Sequence, residues 1–255
     1  MIATIEYKGK SIAYDLHAPI DLSIAISANG PRAWYVEEAR IAPVINQQFT
    51  GSVKLGGGVN FNDVFFNPHG HGTHTESVGH ISKELVSVNA VLKNYFFMAE
   101  IISLTPSVVE MDTGWTKRGD LIITKDQVSE AIKSSSPEAL IIRTLPNNNE
   151  KRTRNYSNTN FCYIESEALA WLTEIGVEQL LVDLPSVDRE SDGGLLLAHH
   201  AFWKNGSKDR LHCTITEFVF IPDTVTDGNY LLNLQVAPFE NDASPSRAVV
   251  FKPLQ

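Results

Sequence analysis

The stretch from Asn67 to Ile81, NPHGHGTHTESVGHI, holds four of the chain's eight histidines together with a glutamate. Neutral imidazole and carboxylate are the usual ligands of zinc and manganese. His71, His74 and Glu76 offer two imidazoles and a carboxylate within six positions, with His69 just before them and His80 just after. Gly70 and Gly72 let the backbone bend so that close neighbours can converge on one ion. With Gly79 they also argue against a helix, which excludes a helical HExxH site. The segment reads as an irregular loop or strand edge carrying a metal site; the plainer reading is a polar loop whose histidines hydrogen-bond locally. A bound metal brings the pKa of its water from about 15.7 to near 7. A histidine not used as a ligand, with its ordinary pKa near 6.5, can then take the proton.

Distant residues must complete such a site. His199 and His200 follow the apolar run Leu195 to Ala198, so either could point inward. With a strand's period of two, Ile215, Glu217, Val219 and Ile221 share one face. A carboxylate there costs several kcal/mol unless a cation or metal compensates it. Asp183 and Asp188 bracket a strand end, where active-site residues gather. No nucleophile triad competes. There is no GxSxG elbow, and neither Cys162 nor Cys213 lies near a catalytic-looking histidine.

The elements that position these residues alternate strand and helix irregularly. Thr4–Tyr7 and Ser11–Tyr14 read as a hairpin joined at Lys8-Gly9-Lys10. Gly56-Gly57-Gly58 lacks the Gly-Lys-Ser/Thr of a phosphate-binding loop. Tyr95 to Leu104, Leu140 to Ile142 and Gln179 to Asp183 read as buried strands. Asp126 is a plausible N-cap for a short helix. A longer helix begins near Ser166, with Leu169, Leu172 and Ile175 on one face and Gly176 as its terminator. Thr216 to Ile221, Tyr230 to Val236 and Ala248 to Phe251 read as the closing strands. With no repeat and no linker, a single mixed α/β domain over residues 1–255 is expected, the helices being too few for a (β/α)8 barrel.

The bulk composition excludes some partners. Thirty acidic residues against 21 basic ones give a formal charge of -9. That charge gives no electrostatic footprint for nucleic acid or an anionic membrane. The one basic run, Lys151-Arg152-Thr153-Arg154, reads as a solvated loop. Two isolated cysteines without a CxxC motif, and an N-terminus without the apolar core of a signal peptide, predict a cytoplasmic protein.

GTHTESVGH resembles the HxGTHxDxPxH signature of the cyclase-like metal-dependent hydrolases, the family of bacterial kynurenine formamidase and isatin hydrolase. Asp21-Leu22-Ser23, Asp183 to Asp188, Ala198-His199-His200, Ile215-Thr216-Glu217 and Ala243 to Ala248 resemble further family segments, in the right order. The resemblance implies a mixed β/β/α cyclase-like fold, mainly sheet with a few flanking helices, assembled as a dimer or tetramer. It implies metal ligands at His74, Glu76, Glu217 and the later histidine, His199 with His200 as fallback, and a general acid/base at His80. It also implies one or two divalent ions, Zn2+ or Mn2+, and hydrolysis of a small-molecule amide or lactam C–N bond, as in an arylformamidase. A non-catalytic metal-binding protein of the same fold and a cyclase acting on another substrate are the alternatives. The chain departs from the pattern in three places. Gly70 stands where the first histidine belongs, leaving His69 or His71 to serve, with His69 favoured by its preceding proline. Glu76 replaces the usual Asp, and Val78-Gly79 stands where the usual proline precedes the last histidine. His199 and Glu217 are also widely spaced, which predicts an inserted loop from Lys204 to Leu211. Phe65, Phe66, Trp115 and Trp203 are candidate walls of an apolar pocket.

Overall fold

A computed structural model describes residues 1–134 and 136–254. Strands β1 (Ile2–Tyr7) and β2 (Lys10–Asp15) form the expected antiparallel hairpin. Then come β3 (Ile20–Asp21) and a second hairpin, β4 (Arg40–Pro43) with β5 (Asn62–Phe65), which forms a two-stranded sheet of its own. The histidine segment enters β6 (His74–Glu76), followed by α1 (Val88–Val91), β7 (Phe96–Leu104), β8 (Ser107–Val108) and β9 (Leu121–Ile123). Next are α2 (Lys125–Ala131), β10 (Ala139–Thr144), β11 (Tyr163–Ile164), α3 (Ser166–Glu174) and β12 (Gln179–Val182). Helix α4 (Leu197–Phe202) precedes β13 (Thr214–Glu217), β14 (Gly228–Val236) and β15 (Ala243–Phe251).

The main sheet runs β14-β7-β10-β12-β13-β6-β15, and β14 also pairs with β15, so seven strands close on themselves while β3 adds to β15. Strands β7, β10, β12 and β13 are parallel, and the closing pairs are antiparallel. Closure explains the continuous apolar runs, because these strands are buried on both faces. Leu140, Ile142, Leu180 and Val182 face the helices, where they meet Leu169, Leu172 and Phe202. Ile141 and Leu181 point the other way, onto Ile101, Leu232 and Val250. The fold is thus mainly sheet with a few flanking helices, as expected. Among the described residues no helix is long and apolar enough to cross a membrane.

Three local expectations are corrected. The N-cap of α2 is Thr124 and not Asp126: Thr124 and Gln127 form a reciprocal capping box, and Asp126 lies in the first turn. The strand expected over Thr216–Ile221 ends at Glu217, because Phe218 adopts φ of 55°. Ile215 therefore packs with the helices while Val219 and Ile221 join the opposite core, so the four residues share no face. The basic run is not simply solvated either. Lys151 lies 2.8 Å from the buried Asp183 and also donates to Thr144, which takes Asp183 out of the reactive set.

Candidate metal centre and active site

Strand β6 lies between β13 and β15, and this places the candidate ligands. His74 and Glu76 are two residues apart, so they project from the same face. Glu217 pairs directly opposite His74, whose Nε2 lies 3.3 Å from Glu217 Oε2. Thr75, facing the other way, hydrogen-bonds Thr216. The His74, Glu76 and Glu217 side chains are all buried.

Each of three imidazoles has one ring nitrogen held by an acceptor and the other turned on a carboxylate. His74 Nδ1 donates to the Gly72 carbonyl, which leaves Nε2 as a lone pair facing Glu217. His199 Nδ1 donates to Asp188, and its Nε2 lies 3.0 Å from Glu76 Oε1. His69 Nε2 donates to Asp242, and its Nδ1 lies 3.1 Å from Glu76 Oε2. A metal-binding histidine is held in this way, its far N–H fixed by a carboxylate or carbonyl. Lone pairs facing carboxylates at 3.0–3.3 Å repel unless a cation or proton lies between them. His74 Nε2 and Glu76 Oε2 are buried without a hydrogen-bond partner among the described residues. The donor set thus fits a divalent cation, and among the described residues three groups, His69/His74/Glu76, Glu76/His80/His199 and His69/His80/Asp242, bring their ligand atoms within 4.8 Å of one another.

Electrostatics follow from the crowding. Burial opposes charge on His69, but Asp242 and Glu76 outweigh it and raise its pKa to about 10. Burial and the neighbouring Glu76 carboxylate raise Glu217. In Glu76 the penalty of burial is overcome by His80 and His199, which hold it well below the usual range. One cation could replace several of these protons.

The remaining predicted residues sort cleanly. His80 is 29% exposed at the side chain, 3.9 Å from Glu76 Oε2 and 3.6 Å from Asp242 Oδ2. His71 is turned away: its ring accepts from the Asn67 amide and bonds the Glu37 carbonyl. His200 takes no part in these contacts, whereas His199 is central. Asp188 caps α4 through the amides of Ala198 and His199 while holding the His199 ring. A cavity of about 350 Å³ opens on the cluster, lined by His69, His80, His199 and Glu217 with Trp34, Asn67 and Leu196.

Its aromatic wall is Trp34, not the four aromatics singled out in the sequence. Trp203 is fully buried behind His199, Trp115 packs on Tyr163, Phe66 stacks on Phe239 and Phe65 lies under Arg40. Asp242 was also missed. Its only signal is its place just before β15, the strand that pairs Ala243 with Glu76.

A closed mixed sheet with a histidine–carboxylate centre on one short strand defines the class. The Cyclase family model ("Putative cyclase") matches residues 20–189, well over half of the chain, and the chain belongs to that family. It is similar to a kynurenine formamidase of Bacillus mycoides, 39% identical over 89 residues, 34% of this chain. That match spans 39% of the relative's length. Among solved structures it is similar in fold to a potential metal-dependent hydrolase with cyclase activity, with a TM-score of 0.66 at 14% identity, covering 93% of this chain and 99% of that one. Isatin hydrolase A from Labrenzia aggregata aligns with a TM-score of 0.62 at 11% identity, covering 92% and 93%.

Proposed function

We propose that this chain, a single domain, is a divalent-metal-dependent hydrolase that opens a small-molecule amide or lactam C–N bond, in the manner of an arylformamidase. The observation that carries the reading is the set of three imidazoles, each pinned at one ring nitrogen and aimed with the other at Glu76 or Glu217. His69, His74, Glu76, His199 and Glu217 would hold the cation, Zn2+ or Mn2+. When bound, it would polarise the carbonyl and lower the pKa of a water. His80, at the wall of the cavity, moves the proton between water and leaving nitrogen. Trp34 and Leu196 give the substrate an apolar face, and burial of the carboxylates keeps bulk water from competing. The kynurenine formamidase match and the fold shared with isatin hydrolase support C–N hydrolysis over other chemistry.

We further assign the protein to the cytoplasm, since Cys162 and Cys213 are free and buried as suits a reducing compartment, and to a homodimer or homotetramer. The deciding experiment is hydrolysis of N-formyl aromatic amides by zinc- or manganese-loaded protein. Turnover abolished by chelation and restored by metal is the expected result; a loaded protein inert across a formamide and lactam panel rejects the reading.

A further inference from the structure

Asp242 lies at the mouth of the cluster, 173 residues from His69 in sequence, yet its Oδ2 accepts the His69 Nε2 hydrogen at 2.9 Å. The same oxygen is 3.6 Å from His80 Nδ1. The two rings are tilted against each other, 4.3 Å apart at their centroids with 34° between planes. One carboxylate oxygen therefore holds His69 and lies close to His80, two of the three imidazoles that line the cavity. Its position is built by the fold. Pairing of β15 with β6 sets Ala243 opposite Glu76, and the Asp242 carbonyl accepts the Ser77 amide. A Cβ at Gly79 would come within 3.0 Å of the Asp242 Cβ and 2.4 Å of the Val86 carbonyl, so the chain beside His80 must be glycine for Asp242 to reach this place.

We infer that Asp242 is a positioning residue which, by holding His69 Nε2–H and facing His80, aims the His69 Nδ1 lone pair into the metal site and fixes the His80 ring against it. This rests on the metal-dependent reading above. It also accounts for the shift of the first histidine to position 69, because the ring at 69 is the one that Asp242 holds. Carboxylate partners of ligating histidines fix ring orientation, and their loss weakens metal binding about 10–100-fold.

The test compares wild type with Asp242→Asn, nearly isosteric and uncharged, and Asp242→Glu, which keeps the charge. Three quantities are measured: zinc affinity by competition with a chromophoric chelator, kcat and KM on a formyl-aromatic amide, and the slowly exchanging ring N–H signals by proton NMR. Asp242→Asn, whose amide oxygen still accepts but carries no charge, is expected to shift the His69 N–H signal upfield and leave unmoved the one His199 donates to Asp188. Its zinc affinity should fall roughly 10–100-fold and kcat at least roughly tenfold, with KM little changed. Asp242→Glu should recover part of both. Zinc affinity within about threefold of wild type in Asp242→Asn overturns the inference, whatever the N–H signals do. So does complete loss of metal on the scale of His74→Ala, which would make Asp242 a ligand. Should wild type itself bind no zinc, the hydrolase reading fails on its own, and the upfield shift of the His69 signal, present or absent in metal-free Asp242→Asn, still decides the contact.

Discussion

His74 and His80 stand six residues apart, His74 facing Glu217 and His80 facing Glu76 and Asp242, and they are held differently. His74 is fully buried, with Nδ1 committed to a carbonyl, whereas His80 is partly exposed on the cavity. His74→Ala is therefore expected to lose metal and activity together. His80→Ala should keep its metal while its rate falls roughly 10²–10⁴-fold, the usual worth of a positioned acid/base. Metal analysis and single-turnover kinetics on both variants check this; equal loss of metal would make His80 a ligand. At this scale the site was legible where its members are sequence neighbours, since a run of histidines among glycines announces itself. Asp242 was not, because an aspartate in a polar loop looks like any other until β15 sets it beside His69. The preceding proline already favoured His69 over His71, and the Glu37 carbonyl that captures the His71 ring adds a reason that no spacing reveals.

At the scale of elements, apolar runs revealed the buried strands because closure of the sheet buries both of their faces. Their ends were harder to read. Glu217 faces His74 through the pairing of β13 with β6, and Val219 and Ile221, which alternation placed on its face, lie beyond the end of that strand. Loops carry order of their own, and Asp120, just before β9, shows how. Its buried carboxylate accepts from Arg189, Tyr163, Asn160 and the Lys117 amide, stitching three loops beside the cavity. Burial opposes the charge, but Arg189 and Asn160 outweigh it and hold Asp120 far below the usual carboxylate range. A depressed folded pKa adds stability above the unfolded pKa of about 3.9, and that stability is lost as pH falls toward the folded value. Asp120→Asn should thus cost about 3 kcal/mol in urea unfolding at pH 7 and progressively less below about pH 4. An equal cost at pH 7 and pH 3 would reject the assignment.

The whole molecule carries two further consequences. Glu76 and Glu217 are buried beside each other and beside three imidazoles, so a cation bound only to the folded chain must stabilise it. At a thousandfold excess over Kd the gain is about 4 kcal/mol, and chelation should lower Tm by roughly 10 °C in differential scanning calorimetry. An unchanged Tm would mean that no ion is held there.

The second consequence concerns assembly. Between Ile41 and Phe65, nine large apolar side chains are 38–62% exposed, among them Phe49, Leu55 and Phe61. The hairpin β4–β5 that frames them forms a sheet with no third strand among the described residues, and such a hairpin is marginal in water by itself. At half exposure each side chain leaves on the order of 100 Å² uncovered, so the arm exposes roughly 900 Å² of apolar side chain shared between its two faces, where the largest apolar patch of a typical monomer is about 300–600 Å². A second copy of this chain is the partner that is always present at matching concentration, and an isologous contact buries the patch on both subunits at once. Light scattering should therefore give about 56 kDa, twice the 28.2 kDa chain, or a multiple of it. Leu55→Lys with Phe61→Lys, placing charges on the arm, should shift the protein toward 28.2 kDa while leaving zinc content unchanged. A wild-type mass of one chain at micromolar concentration, or a dimer indifferent to both lysines, would rule out the arm as its interface.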